Sequence, residues 1–269
     1  LNFCFWPNET WEYDNLARAL KDTLLRTPEA FEPAALAELT VEEFKGWFKG
    51  EMKSVDTQPQ AQTSQQPGSR GPVGFLPVME ERCRLVNEVG SVLMHRFGGS
   101  SAAMVREAGG SAAALVDIVT ANFPGFRDST VYNGRQVFFF KRAQIFVADV
   151  WGAFRASGLG AFHDMERLTM FADYRVPQLL HFRGVLKYSD ELHNAVMSQQ
   201  ELESGSASEV EIRAATVVAV DEIRDAVSRR CGLELFSVEI DWLLWQAGEA
   251  LVLGKQAITP HHRTKTIFY

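Results

Sequence analysis

"SEVEIRAATVVAVDEIRDAVSRRCG", residues 208–232, decides the fold class. Ser208 and Glu211 stand in the S-x-x-E spacing of a capping box, in which two side chains take up backbone N–H groups that the first turn leaves free. Arg229 and Arg230 suit the carbonyl end of a helix, and Gly232 suits its left-handed closing residue. The stretch predicts one long helix over 209–230. Working outward, helical patterns recur on both sides. "SVEIDWLLWQAGEAL", residues 237–251, places Ile240, Leu243, Leu244 and Ala247 at helical spacing, with Asp241, Trp245 and Glu249 just outside that stripe. On the other side, helices are predicted at 164–175 and 177–195. They are broken at Pro177, because the residue before a proline is pushed toward extended backbone.

Further toward the N-terminus, residues 136–156 are ambiguous. The Phe run suggests a strand, whereas the length and the Lys141, Ile145, Asp149 spacing suggest a buried helix. Helices are predicted at 77–97, ending at "FGG", and at 100–122, weakened by Gly109 and Gly110. Residues 10–50 read as two or three short helices, with "TPEAF" and "TVEEF" as start signals. "LELFSV" (233–238) and "TKTIFY" (264–269) are the short strand candidates. The segment 54–74 carries five Gln and three Pro with almost no apolar content, and is expected to be a disordered insertion. The class is mainly α: one compact unit of packed helices over 1–269 with one floppy insertion.

Bulk properties narrow the function. A chain of 269 residues, 46% hydrophobic, can build a sizeable core. A net charge of −7 argues against a nucleic-acid grip, which needs a basic face, but not against a nucleotide-sized ligand. Cys4, Cys83 and Cys231 show no paired spacing and suit reduced thiols in a cytoplasmic protein. No run of 18 apolar residues appears, so no membrane span is expected. The chain starts at Leu1 rather than Met, in an apolar stretch, so a native N-terminal segment is expected to be missing from it. Signatures of P-loops, common zinc sites and serine-hydrolase elbows are absent, and neither a metal nor a cofactor is expected.

What remains is carboxylates among aromatics. Cleaving a sugar–base bond builds positive charge on the sugar carbon, and a fixed carboxylate stabilises or attacks that oxocarbenium ion. Asp241, placed in the first turn of its helix beside Trp242 and Trp245, is expected to stay ionised there through the helix dipole. The plain alternative is an ordinary helix-start Asp. Asp173, between Phe171 and Tyr174, either lines a pocket, pairs with Arg175 or caps the next helix. Trp245 either stacks on a flat base or packs in the core. Lys141, inside an apolar run, needs a carboxylate partner or a site to serve. "HHRTKTIFY" (261–269) either holds a phosphate with His261, His262, Arg263 and Lys265, or is a solvated tail.

Taken together, "LNFCFW", "KRAQIFVADVWGAF", "LTMFADYRVPQLL", "EIRAATVVAVDEI", "EIDWLLWQAGE" and "HHRTKTIFY" resemble, in order and rough spacing, the queuosine salvage protein family over essentially the whole chain. The resemblance implies a helical protein looking like helix-hairpin-helix DNA glycosylases in architecture. It implies an N-glycosylase/hydrolase that releases queuine from queuosine 5'-monophosphate for salvage into tRNA, without touching nucleic acid or membrane itself. Carried onto this sequence, Asp241 becomes the catalytic carboxylate, as nucleophile or cation stabiliser. Asp173 and Tyr174 become substrate-pocket residues and Trp245 a base or sugar contact, while Lys141 or a water is a candidate acid. Queuine is a 7-deazaguanine, so its ring carries carbon where guanine carries N7, and protonation there cannot assist its departure. The alternatives are a helical module binding nucleotide or tRNA without catalysis, and a glycosylase for another nucleotide.

Overall fold

The computed structural model describes residues 1, 3–5, 11, 13–49, 76–254 and 258–269, so the Gln/Pro-rich stretch 54–74 lies outside the described residues. The protein is mainly α, and its chain divides into two compact units, Leu1–Ser101 and Ala102–Tyr269. Among the described residues, no helix is long and apolar enough to cross a membrane.

The first unit holds α1 (Tyr13–Arg26), α2 (Pro33–Glu38), α3 (Val41–Trp47) and α4 (Met79–Phe97). Its start signals behave as their chemistry demands. Thr40 Oγ1 accepts the Glu43 N–H while Glu43 Oε2 accepts the Thr40 N–H at 2.9 Å, a complete capping box for α3. Gly98, at φ +58°, closes α4. The core gathers Trp11, Leu16, Phe44, Trp47, Phe48, Met79 and Cys83. Within it α2 lies so close to α4 that a Cβ on Gly90 would stand 2.3 Å from the Ala37 nitrogen.

The second unit carries α5 (Ser101–Glu107) from its second residue on, α6 (Ala112–Asn122), a hairpin of β1 (Ser129–Tyr132) and β2 (Arg135–Phe138), α7 (Lys141–Ala153), α8 (Arg175–Phe182), α9 (Asp190–Met197), α10 (Ala207–Cys231) and α11 (Ser237–Leu253). The long helix is present as α10, closed by Gly232 at φ +65°. It starts earlier than expected. Ser206, not Ser208, accepts the Glu209 N–H, and Glu209 reaches back to the Gly205 N–H at 3.1 Å.

Four other expectations are corrected. The expected helix 100–122 is two helices, parted at Gly109 and Gly110, whose φ values of +61° and +79° do not fit a right-handed helix. The ambiguous 136–156 run is both things in turn, the end of β2 and then α7. "LELFSV" and "TKTIFY" form no strand; among the described residues the strands are Ser129–Tyr132 and Arg135–Phe138, paired antiparallel around Asn133 and Gly134 at φ +49° and +73°. Asn-Gly is the signal of a two-residue hairpin turn. Last, Pro177 breaks nothing. It sits in the first turn of α8, where its missing N–H has no intrahelical partner to lose, and the chain before it is largely non-helical from Leu168 to Tyr174.

Candidate active site

The non-helical segment Leu168–Tyr174 is the frame of the site, because three helices grip it in succession. From α7, Gln144 Oε1 accepts the Thr169 N–H at 2.8 Å and Gln144 Nε2 donates to Thr169 Oγ1 at 3.0 Å. From α11, Asp241 Oδ1 accepts the Phe171 N–H at 3.0 Å. From α10, Arg213 Nε donates to the Ala172 carbonyl at 3.1 Å. Met170 and Ala172 anchor the same segment in the core that also holds Phe139, Val176, Val210 and Ile240. Asp173 follows immediately. Its Oδ1 accepts the N–H groups of Arg175 and Val176, at 3.0 and 3.1 Å, so the expected capping role is real.

Asp241 is not where the sequence pattern put it. The first turn of α11 belongs to Glu239, which accepts the Phe236 N–H at 2.9 Å, and Asp241 lies in the second turn. The apolar stripe is also rotated. Leu243 is 56% exposed and Ala247 is exposed, while Val238, Ile240, Asp241 and Gly248 face inward. The carboxylate therefore sits on the buried face itself, 4% exposed.

Lys141, at the start of α7, completes the centre. Lys141, Asp173 and Asp241 are all buried and act electrostatically on one another. Burial, reinforced by the Asp173 charge, holds the Asp241 carboxyl well above its ordinary range; the Phe171 N–H and the Lys141 charge offset this only in part. Burial also raises Asp173, against the pull of Lys141, the Arg175 charge and two backbone N–H groups. Lys141 is lowered by burial, with the two aspartates pulling the other way. Asp241 is thus not held ionised by the helix dipole. It lies beyond the turn where that field acts, and desolvation favours its neutral form. Two carboxylates in so dry a space split unequally, and the better-served Asp173 keeps its charge more readily.

The other expected residues take varied places. Tyr174 follows Asp173 and packs against the His261 ring at 4.4 Å, with the Arg175 guanidinium 5.7 Å from its centroid. Trp245 is half-buried and packs on the core that holds Met170 and Ala172. Trp242 stacks on Trp151 of α7 at 6.1 Å. The terminal "HHRTKTIFY" is no solvated tail. His262, Thr264 and Tyr269 are buried, and Leu202 N–H donates to the Arg263 carbonyl at 2.7 Å. Burial pushes His261 down to about 4 and His262 to about 3, so both rings are neutral and only Arg263 and Lys265 bring charge.

Sequence reasoning missed the supporting charges. Arg175 pairs with Glu249 at 2.5 Å and with Gln178 at 2.7 Å, tying α8 to α11 beside Gly248. Arg213 is enclosed by Asp128, Glu209 and Tyr269. The signal for Arg213 was available: residues 209, 212, 213, 216 and 220 form one helical stripe, and two of them are charged. No comparable signal marks Asp128.

Fold and site together define a mainly helical protein built around a buried centre of two carboxylates and a lysine, a set suited to proton transfer and to stabilising a cation. The chain belongs to the family described as "Queuosine salvage protein", whose sequence profile matches residues 1–269. It is 46% identical over its whole length to a Dictyostelium discoideum protein named queuosine 5'-phosphate N-glycosylase/hydrolase, covering 75% of that protein. It is 43% identical to a protein of the same name from Sphaerobacter thermophilus, covering 78% of it, and 32% identical to one from Nematostella vectensis, covering 79%. The whole of this chain is covered in both matches.

Proposed function

We propose that this protein is an N-glycosylase that hydrolyses queuosine 5'-monophosphate to queuine and ribose 5-phosphate. The observation that carries the chemistry is the buried Asp241 carboxyl, raised by desolvation beside a second carboxylate and a lysine; the substrate rests on the family. The bond between the base nitrogen and the sugar C1' breaks with its electron pair leaving on the base. A 7-deazapurine cannot be assisted through N7, so a proton has to reach it elsewhere. Asp241, whose neutral form burial favours, delivers that proton to the departing base. The carboxylate so formed faces the oxocarbenium ion at the moment the sugar becomes cationic, which is when its charge stabilises most. Water then adds to C1', and its proton returns to Asp241.

Asp173 and Lys141 set the balance. The Asp173 charge raises Asp241 and the Lys141 charge lowers it, so the pair places the proton where it can be given up. In this proposal Asp173 and Tyr174 also contact the sugar, and Trp245 the base. This division of roles departs from a permanently charged Asp241 because burial disfavours that state. A net charge of −7 fits a free nucleotide as ligand better than tRNA.

The substrate class is tested by incubating the protein with queuosine 5'-monophosphate, queuosine and GMP and measuring released base by mass spectrometry. Queuine release from the phosphorylated nucleoside, with GMP left intact, is expected. Release of guanine at a comparable rate refutes the assignment to the 7-deazapurine nucleotide.

A further inference from the structure

The start of α7 is held in an unusual way. Phe140, the residue before Lys141, adopts φ +48°, a left-handed conformation that strains a bulky side chain. Asp128 clamps it there. The Asp128 backbone carbonyl accepts the N–H groups of Phe139 and Phe140 at 2.9 and 3.0 Å, and its Oδ2 accepts the Lys141 N–H at 3.1 Å. Asp128 is gripped in turn by Arg213, with Nη1 to Oδ1 at 3.0 Å and Nη2 to Oδ2 at 2.5 Å. The remaining Nε of Arg213 donates to Ala172, the residue before Asp173. Both partners of the pair are 4% exposed. Glu209 meets Arg213 Nη1 at 3.2 Å, and the Phe139 ring covers the guanidinium at 3.9 Å.

One planar fork therefore spans the backbone next to Lys141 and the backbone next to Asp173. We infer that the Arg213–Asp128 pair is a positioning element, fixing Lys141 relative to Asp173 for the reaction proposed above. It hydrogen-bonds to neither side chain's reacting atoms and holds both through backbone, while the Arg213 charge also helps to lower Lys141. A bidentate, planar grip suits this task because it sets angle as well as distance, which an ammonium cannot do. The strained Phe140 is the mark of the same constraint, since strain of this kind persists only where the surroundings over-determine the backbone. The inference rests on the proposed N-glycosylase activity.

The test compares wild type, Asp128→Asn and Arg213→Lys in queuosine 5'-monophosphate hydrolysis, with thermal melting of each. Arg213→Lys keeps a cation between Asp128 and Glu209 and is the gentler change, so it keeps the question open to measurement if Asp128→Asn does not fold. A displacement of about 1 Å at a reacting group costs about a hundredfold in rate. The expected result is a fall of that order in kcat for the folded variants, with KM within about threefold of wild type, since groups that act only on the transition state move kcat rather than KM. Lowered melting temperature with wild-type kcat per folded molecule overturns the inference and leaves the pair merely structural. Wild type without any queuine release removes the activity itself, and the inference falls with it, so the two failures are told apart by the wild-type arm alone.

Discussion

Replacing Asp241 with Asn separates what the residue does for the fold from what it does for the reaction. The amide is nearly isosteric and keeps an oxygen to accept the Phe171 N–H, the contact seen at 3.0 Å. It removes the charge. In the wild type that charge is penalised by burial and by Asp173, so the folded state holds the proton more tightly than the unfolded chain does. Stability from such a raised carboxyl is fully present below its unfolded pKa, near 3.8 to 3.9, and declines as pH rises toward the folded value. The Asn variant carries no such penalty. Its melting temperature is therefore expected to match wild type at low pH and to exceed it increasingly as pH rises above about 4. For the described fold, each 1 kcal/mol is worth about 2–4 °C. Activity moves the opposite way. Losing one oxyanion-hole donor costs about 2.7–4 kcal/mol, and losing both the proton and the charge should cost at least that, about a hundredfold or more in kcat. The assay is a pH series of thermal melts beside a queuine-release time course. A variant that melts lower than wild type at every pH, or that retains more than about a tenth of the rate, a loss under 1.4 kcal/mol, refutes the reasoning. The catalytic charge then lies elsewhere, with Asp173 the first candidate.

Further outcomes follow from the same geometry. Since the neutral form of Asp241 delivers the proton, kcat/KM should fall as pH rises through its elevated pKa. Asp173→Asn, which removes a like charge, should move that alkaline limb to lower pH, whereas Lys141→Met should move it to higher pH; movement in the reverse directions contradicts the proposed coupling. Queuosine 5'-monophosphate should turn over faster than queuosine, and with His261 and His262 held neutral, Arg263→Gln should narrow the gap; equal turnover of both substrates by wild type denies any phosphate site. Gly90→Ala should destabilise the first unit by about 1–3 kcal/mol, read in a denaturant melt, because its Cβ would meet α2 backbone rather than a yielding side chain.

How much of this the sequence disclosed varies with the physics involved. The helices of α10 and α11 and the capping box at Thr40 were legible because local periodicity and capping chemistry decide them. Asp241, Asp173 and Lys141 stood out as charges in apolar surroundings, and all three are buried in one place. What could not be read was the rotation of α11. Leu243 and Ala247 suggested one buried face, but the neighbouring chain from Leu168 to Tyr174 covers another, and only tertiary contact fixes which. The desolvation of Asp241 was illegible for the same reason, since it depends on that covering chain. The hairpin is a different matter. Asn133-Gly134 is a local turn signal, whereas the Phe run beyond it carries strand and helix signals at once. The Arg213–Asp128 pair joins residues 85 apart, a distance over which no local pattern speaks.

The most direct test of the account is a single-turnover reaction of the protein with queuosine 5'-monophosphate, both products being measured by mass spectrometry. The account predicts queuine and ribose 5-phosphate in equal amounts, with the phosphate still on the sugar. No queuine, or release of inorganic phosphate with the nucleoside left whole, contradicts it.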